Sequence, residues 1–326
     1  MRRRRFRLIL TRNPAAPATG STRNVQRRLA HCPCEPHARN ARVAFGPVRS
    51  VPIEDHVVPT VVHLAYADRQ EGDAAKIVSK LNRLLGTSVL RSNPLGTTNV
   101  SRLQRLMRVS RATASQYSTY IKRGRDIRFR FVLDRVVLPA VISGSIADRE
   151  ATASLSPKPE GTGLKHYLHV WVVQSTDYLG IASFPWETES ESYDGVTIDY
   201  RTTLTRFAYQ PYHQNKTLVH EVGHWLGLLH TFSAPDEAEA SFEPVDVNEN
   251  GQLDPQEQLG DLIPDTAPQA VPNFGNPFRT RSFPLYNGRL TPFMNYMDYV
   301  DDPAALTFSL QQRIRAQAMW NTYRRD

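Results

Sequence analysis

The stretch Lys216 to Phe232 reads K-T-L-V-H-E-V-G-H-W-L-G-L-L-H-T-F. His220 and His224 stand four residues apart, so on a helix they share one face, one turn from each other. Glu221 lies beside them, within reach of anything held between the two rings. Gly227 and His230 complete the pattern H-E-x-x-H-x-x-G-x-x-H. Three neutral imidazoles supply three nitrogen ligands and leave the fourth position of a tetrahedral zinc ion open for water, as hydrolytic chemistry requires. A continued helix would carry His230 about 15 Å beyond His220 along the axis. Gly227 can enter the left-handed conformation, end the helix and turn the chain back towards the metal. Leu218, Val222, Trp225, Leu226 and Leu229 are the residues expected to seat this helix in the interior. H-E-x-x-H alone arises by chance on ordinary helices; the glycine and third histidine at fixed offsets make the pattern specific.

With those residues in place, the stretch resembles the zinc helix of the metzincin metallopeptidases. Downstream, Asn295-Tyr296-Met297-Asp298-Tyr299 has the form N-x-M-D-Y, which is similar to the methionine turn of the pappalysin-type (M43) branch. Gly260-Asp261 with Asp265-Thr266 and Pro268 resembles that family's G-D-x-x-x-D-T-x-P segment. Leu168 to Pro185, followed by Asp194-Gly195-Val196 to Tyr200, resembles the strands before the zinc helix. The likeness runs from about Val57 to the C-terminus and is densest after Leu168. It implies an α/β (α+β) metzincin-like zincin fold: a mixed twisted sheet with the zinc helix in an upper subdomain (51–227), and an irregular lower subdomain (228–326) ending in a C-terminal helix. It also implies Glu221 as general base and Tyr299 as hydrogen-bond donor to the oxyanion. Met297 would be a packing floor beneath the histidines and no ligand. Protein or peptide substrates follow from the same likeness, as does an extracellular destination. One departure is Ala304, which stands where many members of the branch carry a cysteine.

A second metal pattern lies between the helix and the turn. Residues 246–257 match D-x-[DN]-x-[DN]-G-x₅-E without a gap. Asp246, Asn248, Asn250, Gln252, Asp254 and Glu257 occupy the six ligand positions of such a loop, and Gly251 its sharp turn; this is the oxygen-rich donor set that calcium takes. The alternative is an acidic surface loop with a chance match. The family likeness separately suggests calcium near Asp261 and Asp265. Asp301 and Asp302, just past the methionine turn, would favour a basic residue after the scissile bond if they face the cleft, and would otherwise form a solvated acidic pair.

The chain has 326 residues, 40% hydrophobic and 9% aromatic, enough for a substantial core. No apolar run approaches the length of a membrane-spanning helix. The net charge of +8 comes mostly from arginine; no nucleic-acid-binding motif accompanies it, so a solvated basic surface is expected. Residues 1–50 are rich in Arg, Pro, Ala and Asn and read as a disordered leader or pro-segment. The basic start resembles the charged part of a signal peptide, but Phe6 to Leu10 is too short and broken for its apolar part. Cys32 and Cys34, the only two cysteines, both fall in this leader, which excludes a disulfide framework for the core. They have two readings: latency thiols that reach the open zinc position, or incidental thiols of a tail.

The remainder, 51–326, reads as one catalytic domain. A buried strand is expected from Val57, a helix over Asp73 to Leu85, and partly helical structure over Asn99 to Lys122. Further strands are expected at Ile127 to Leu133, Leu168 to Val173 and Val196 to Asp199. Ser309 to Gln312 forms a capping box for the last helix, with Leu310, Ile314 and Met319 or Trp320 inward. The expectation is a monomeric zinc endopeptidase. The alternatives are a catalytically silent zinc-binding module that recognises proteins, and a basic nucleic-acid-binding protein.

Overall fold

The computed structural model describes residues 53–86, 89–187, 192–204, 209–232, 260–261, 263–267 and 269–325. Cys32, Cys34 and the calcium-type loop 246–257 lie outside these residues.

The first strand, β1 (His56–Leu64), buries Val58, Val61, Val62 and Leu64 completely. A strand buried on both faces belongs inside a parallel sheet with cover on either side. The cover follows in sequence. Helix α1 (Gly72–Gly86) buries Ile77, Val78, Leu81 and Leu85 on one face. A short turn α2 (Val89–Ser92) leads to α3 (Val100–Met107), capped by the Asn99 side chain, and α4 (Arg111–Arg123), capped by Ser110. Arg108 takes a left-handed φ of 58° between α3 and α4 and makes them two helices.

Strand β2 (Phe129–Val137) returns parallel to β1 at the edge of the sheet, followed by the short β3 (Ser143–Gly144) and helix α5 (Arg149–Leu155). Then come β4 (Leu168–Ser175), β5 (Gly180–Ala182) and β6 (Val196–Asp199). The sheet order is β2-β1-β4-β6-β5, with β3 alongside β4. All its pairings are parallel except that of β5 with β6. Strand β6, in the segment 194–200, lies between β4 and β5, and β5 is the outer strand. A three-residue antiparallel edge carries no long apolar run, which is why periodicity passed over it.

After β6 come a 3₁₀ turn (Tyr200–Thr202) and the histidine helix, α6 (Lys216–Trp225), which packs on β5, β6 and α1. Regular structure beyond it is sparse among the described residues: α7 (Pro277–Thr280), a hairpin of β7 (Leu285–Tyr286) and β8 (Arg289–Leu290), and α8 (Leu310–Met319), which runs into one π-helical turn (Trp320–Arg324). The capping box of Ser309 and Gln312 is formed. The inward face of α8 differs from expectation. Met319 and Trp320 are buried as expected, but Leu310 and Ile314 are only half-buried, and Gln312, Arg315, Ala316 and Gln317 are buried instead. The face is polar because it must satisfy buried backbone and carboxyl groups, as described next.

Candidate metal centre and cleft

Every residue of α6 from Thr217 to Trp225 is buried, including His220, Glu221 and His224. Burying three titratable groups on one short helix is costly unless each finds a partner, so the surroundings of each ring matter.

The helix ends as the glycine predicts. Gly227 has φ +84°, its N–H donates to His224 O at 2.8 Å, and Leu228 N–H donates to Gly223 O at 2.9 Å. These two bonds form a Schellman motif around a left-handed C′ residue. Remaining carbonyls at this end receive cations from the C-terminal segment: Arg315 Nε–H donates to Gly227 O, and Arg324 Nε–H to Trp225 O. Arg324 also lies over the Trp225 ring and pairs with Asp194. Positive charge at a helix C-terminus is favourable.

The reversed chain brings His230 back. Its Nε2 lies 3.2 Å from His220 Nε2 and 3.1 Å from His224 Nε2, and the latter two are 3.1 Å apart. Among the described residues these three histidines are the one group that could hold a metal. His220 Nδ1–H donates to Tyr296 O at 2.7 Å and His224 Nδ1–H to Leu228 O at 2.8 Å. A carbonyl only accepts, so these bonds fix the protons on Nδ1 and turn two bare Nε2 lone pairs towards each other. Burial drives the His220 ring down to about 3 and that of His224 well below its ordinary value, so both are neutral. Converging lone pairs call for a cation between them. Three corners of a tetrahedron with zinc–nitrogen bonds of 2.0–2.1 Å are separated by about 3.3 Å, close to the triangle found. The residues therefore fit a tetrahedral metal ion with one position left over.

Glu221 is 3% exposed, and burial pushes its carboxyl well above the usual carboxylate range. Gly180 of β5 makes room for it: a Cβ there would stand 2.6 Å from Glu221 Oε1. Gly223 performs the same service for Met297, whose Sδ would lie 2.4 Å from an added Cβ. Met297 is fully buried beneath α6, and its carbonyl accepts from Thr231 N–H, tying the turn to the strand of chain that carries His230. Tyr299 Oη is 3.2 Å from His230 Nε2, and its ring packs against His220, His230 and Phe232.

Sequence reasoning quoted Asp298 without giving it a task. It is buried, accepting from Gln269 Nε2, Asn273 N and Nδ2, and Tyr299 N; burial still raises it to about 6. It braces the turn that presents Tyr299. Asp261 accepts from Thr266 Oγ1 and Gln312 Nε2, and Asp265 from Ser309 Oγ and Gln311 N. Gln312 also exchanges amide bonds with Asn295, which explains the polar inner face of α8. Gly180 and Gly223 were overlooked too; a glycine inside a strand is the signal that marked the first.

A cleft opens beside the triad, lined by Gly180, Lys216, His220, Glu221, Tyr299 and Asp302 among others. Asp302 is not part of a solvated pair: it is 3% exposed, its Oδ2 accepts from Gln214 N at 2.5 Å, and burial raises it to about 7 against the pull of Lys216 and Lys80. Asp301 is buried as well.

A helix ended by glycine, two of its imidazoles joined by a third from the returning chain, and a buried methionine turn beneath them define a metzincin-type metallopeptidase fold. Residues 164–320 match the model of the Peptidase_M43 family, described as pregnancy-associated plasma protein-A. The chain is 34% identical over 161 residues to an extracellular metalloprotease of Colletotrichum graminicola, covering 48% of this chain and 50% of that protein. It is 35% identical over 152 residues to one of Neurospora crassa, covering 45% and 46%. The chain thus spans about half the length of the curated relatives it matches. In fold it is similar to mature mirolysin of Tannerella forsythia in complex with a cleaved peptide, with a TM-score of 0.58, 24% identity, and coverage of 83% of this chain and 93% of that one.

Proposed function

We propose that the chain is a zinc-dependent endopeptidase hydrolysing peptide bonds of proteins, with His220, His224 and His230 as metal ligands. The observation that supports this most is the triangle of three Nε2 atoms, with the Glu221 carboxyl on the helix of His220 and His224 and the Tyr299 hydroxyl 3.2 Å from His230 Nε2. Zinc held there supplies Lewis acidity, which acidifies water and polarises a carbonyl. Glu221 takes a proton from the attacking water and later gives it to the leaving amine; its raised proton affinity suits a group that must hold the proton between the two events. Tyr299 donates from Oη to the developing oxyanion. The outer edge of β5, unpaired among the described residues, takes an extended substrate as an added strand, which sets the scissile carbonyl beside Glu221. Asp302, which lines the same cleft, offers a counter-charge to a basic side chain following the scissile bond.

The relatives carry the word extracellular in their names, and no helix of the described residues is long and apolar enough to cross a membrane; we place the protein outside the cell, acting as a monomer. The loop 246–257 is proposed as a calcium site on its sequence pattern. The test is a casein digest by purified protein with and without a chelator, with zinc added back. Cleavage abolished by the chelator and restored by zinc is expected; undiminished cleavage in the chelator would refute the proposal, and metal bound without any cleavage would favour the silent protein-recognition module.

A further inference from the structure

Between Asp73 and Asp126 the chain carries eleven Lys and Arg and no acidic residue. The structure gathers part of that charge at one place, the elbow where α3 meets α4. Arg102 and Arg105 lie three apart on the outer face of α3, Arg108 follows three further on at its left-handed C-cap, and Arg111 opens α4; all four are exposed. The opposite side of the elbow is anchored by buried Leu103, Met107, Ala114, Tyr117 and Ile121, so the arginines sit on a fixed platform. None of the four forms an ion pair among the described residues, whereas Arg128, Arg149, Arg201 and Arg324 each do. Like charges one turn apart repel, and among the described residues no carboxylate pairs with them. A multivalent anion would.

We propose that this elbow is a docking surface for an acidic polysaccharide, a chain of closely spaced sulfate or uronate groups that tethers the protein near its substrates. Charge complementarity argues for the polyanion, since guanidinium groups pair with sulfate and carboxylate in bidentate fashion. Nucleic acid is the less suitable polyanion: binding single strands relies on exposed aromatic platforms, and the aromatic residues of this elbow, Tyr117 and Tyr120, are buried and half-buried. The proposal does not depend on the peptidase reading, because the four arginines are not among the residues around the triad.

The test uses the full chain and a heparin decasaccharide as probe, with binding measured over a range of NaCl concentrations. Replacing Arg102, Arg105, Arg108 and Arg111 by serine should weaken binding at least tenfold at low salt and flatten its salt dependence, as loss of ion-releasing contacts does. The four-lysine counterpart should bind within a fewfold of wild type. A double variant, R105S/R108S, gives an intermediate loss and keeps the test open if the quadruple variant fails to fold; circular dichroism checks each. Casein cleavage at low salt should be unchanged in all of them. Equal binding by wild type and both serine variants overturns the proposal, as does a DNA duplex that competes more strongly than the decasaccharide.

Discussion

Gly180 and Glu221 show how much of this site depends on single atoms. A Cβ at residue 180 would overlap the Glu221 carboxylate, so Gly180→Ala should displace the proposed base while leaving the helix in place. The expected result is a fall in kcat of about 10²-fold or more, the scale of losing a general base, with metal content and thermal midpoint close to wild type; unchanged kcat would show that the carboxylate is free to move aside. Gly223 differs in kind, because the atom in the way is Met297 Sδ, packed in the core. Gly223→Ala should cost about 1–3 kcal/mol of stability, the usual penalty of overpacking, read as a lowered urea midpoint at unchanged slope. The three converging histidines were legible in the sequence because the motif fixes both residue types and offsets. The two glycines were not, because what they avoid is distant in sequence and becomes visible only when β5 and the methionine turn close on α6.

The elements β1 and β4 meet in a buried polar chain that no sequence pattern announced. His169 Nε2–H donates to Thr162 O, so its Nδ1 accepts from His63 Nε2–H, and His63 Nδ1 accepts from Ser156 Oγ–H. Each ring is satisfied only when neutral. Burial lowers His63 to about 3 and His169 to about 4, with Lys158 and the rings themselves adding repulsion and Asp194 opposing it at His169. The sign follows: below the unfolded value of 6.5 the unfolded chain takes protons that the folded one refuses, so this pair's contribution to stability is complete above about pH 6.5 and is lost as the pH falls towards 4. The slope is up to about 1.4 kcal/mol per pH unit for each ring. Nitrogen NMR of the imidazoles should find both rings in the neutral Nε2–H form at pH 5.5, and a protonated ring there would contradict the arrangement. Elements with strong periodicity, β1, α1 and β4, were read correctly from sequence, as were the capping box of α8 and the glycine stop of α6. The inner face of α8 was misread because its buried residues are glutamine and arginine, chosen for the polar groups they satisfy in other elements.

At the scale of the whole molecule, the triad joins segments on both sides of the chain reversal at Gly227, and the turn of Met297 closes beneath them. A metal that binds only the folded arrangement must therefore stabilise it, by about 2.7 kcal/mol when free metal exceeds its dissociation constant a hundredfold. Zinc should raise the thermal midpoint of the wild type and leave His224→Ala unmoved; an equal rise in both would place the metal elsewhere. The mixed α/β character of the sheet followed from apolar runs separated by helical patterns, whereas the strand order and the place of β5 depend on pairings between segments distant in sequence, one of them only three residues long. The claim on which everything else rests is that one ion sits among His220, His224 and His230 with Glu221 handling the proton. Metal content and peptide cleavage of Glu221→Gln, measured beside wild type, address it together. One zinc per chain in both proteins is predicted, with cleavage reduced by about 10³-fold or more in the variant; a variant that cleaves at the wild-type rate, or a wild type that binds no zinc, would contradict the account.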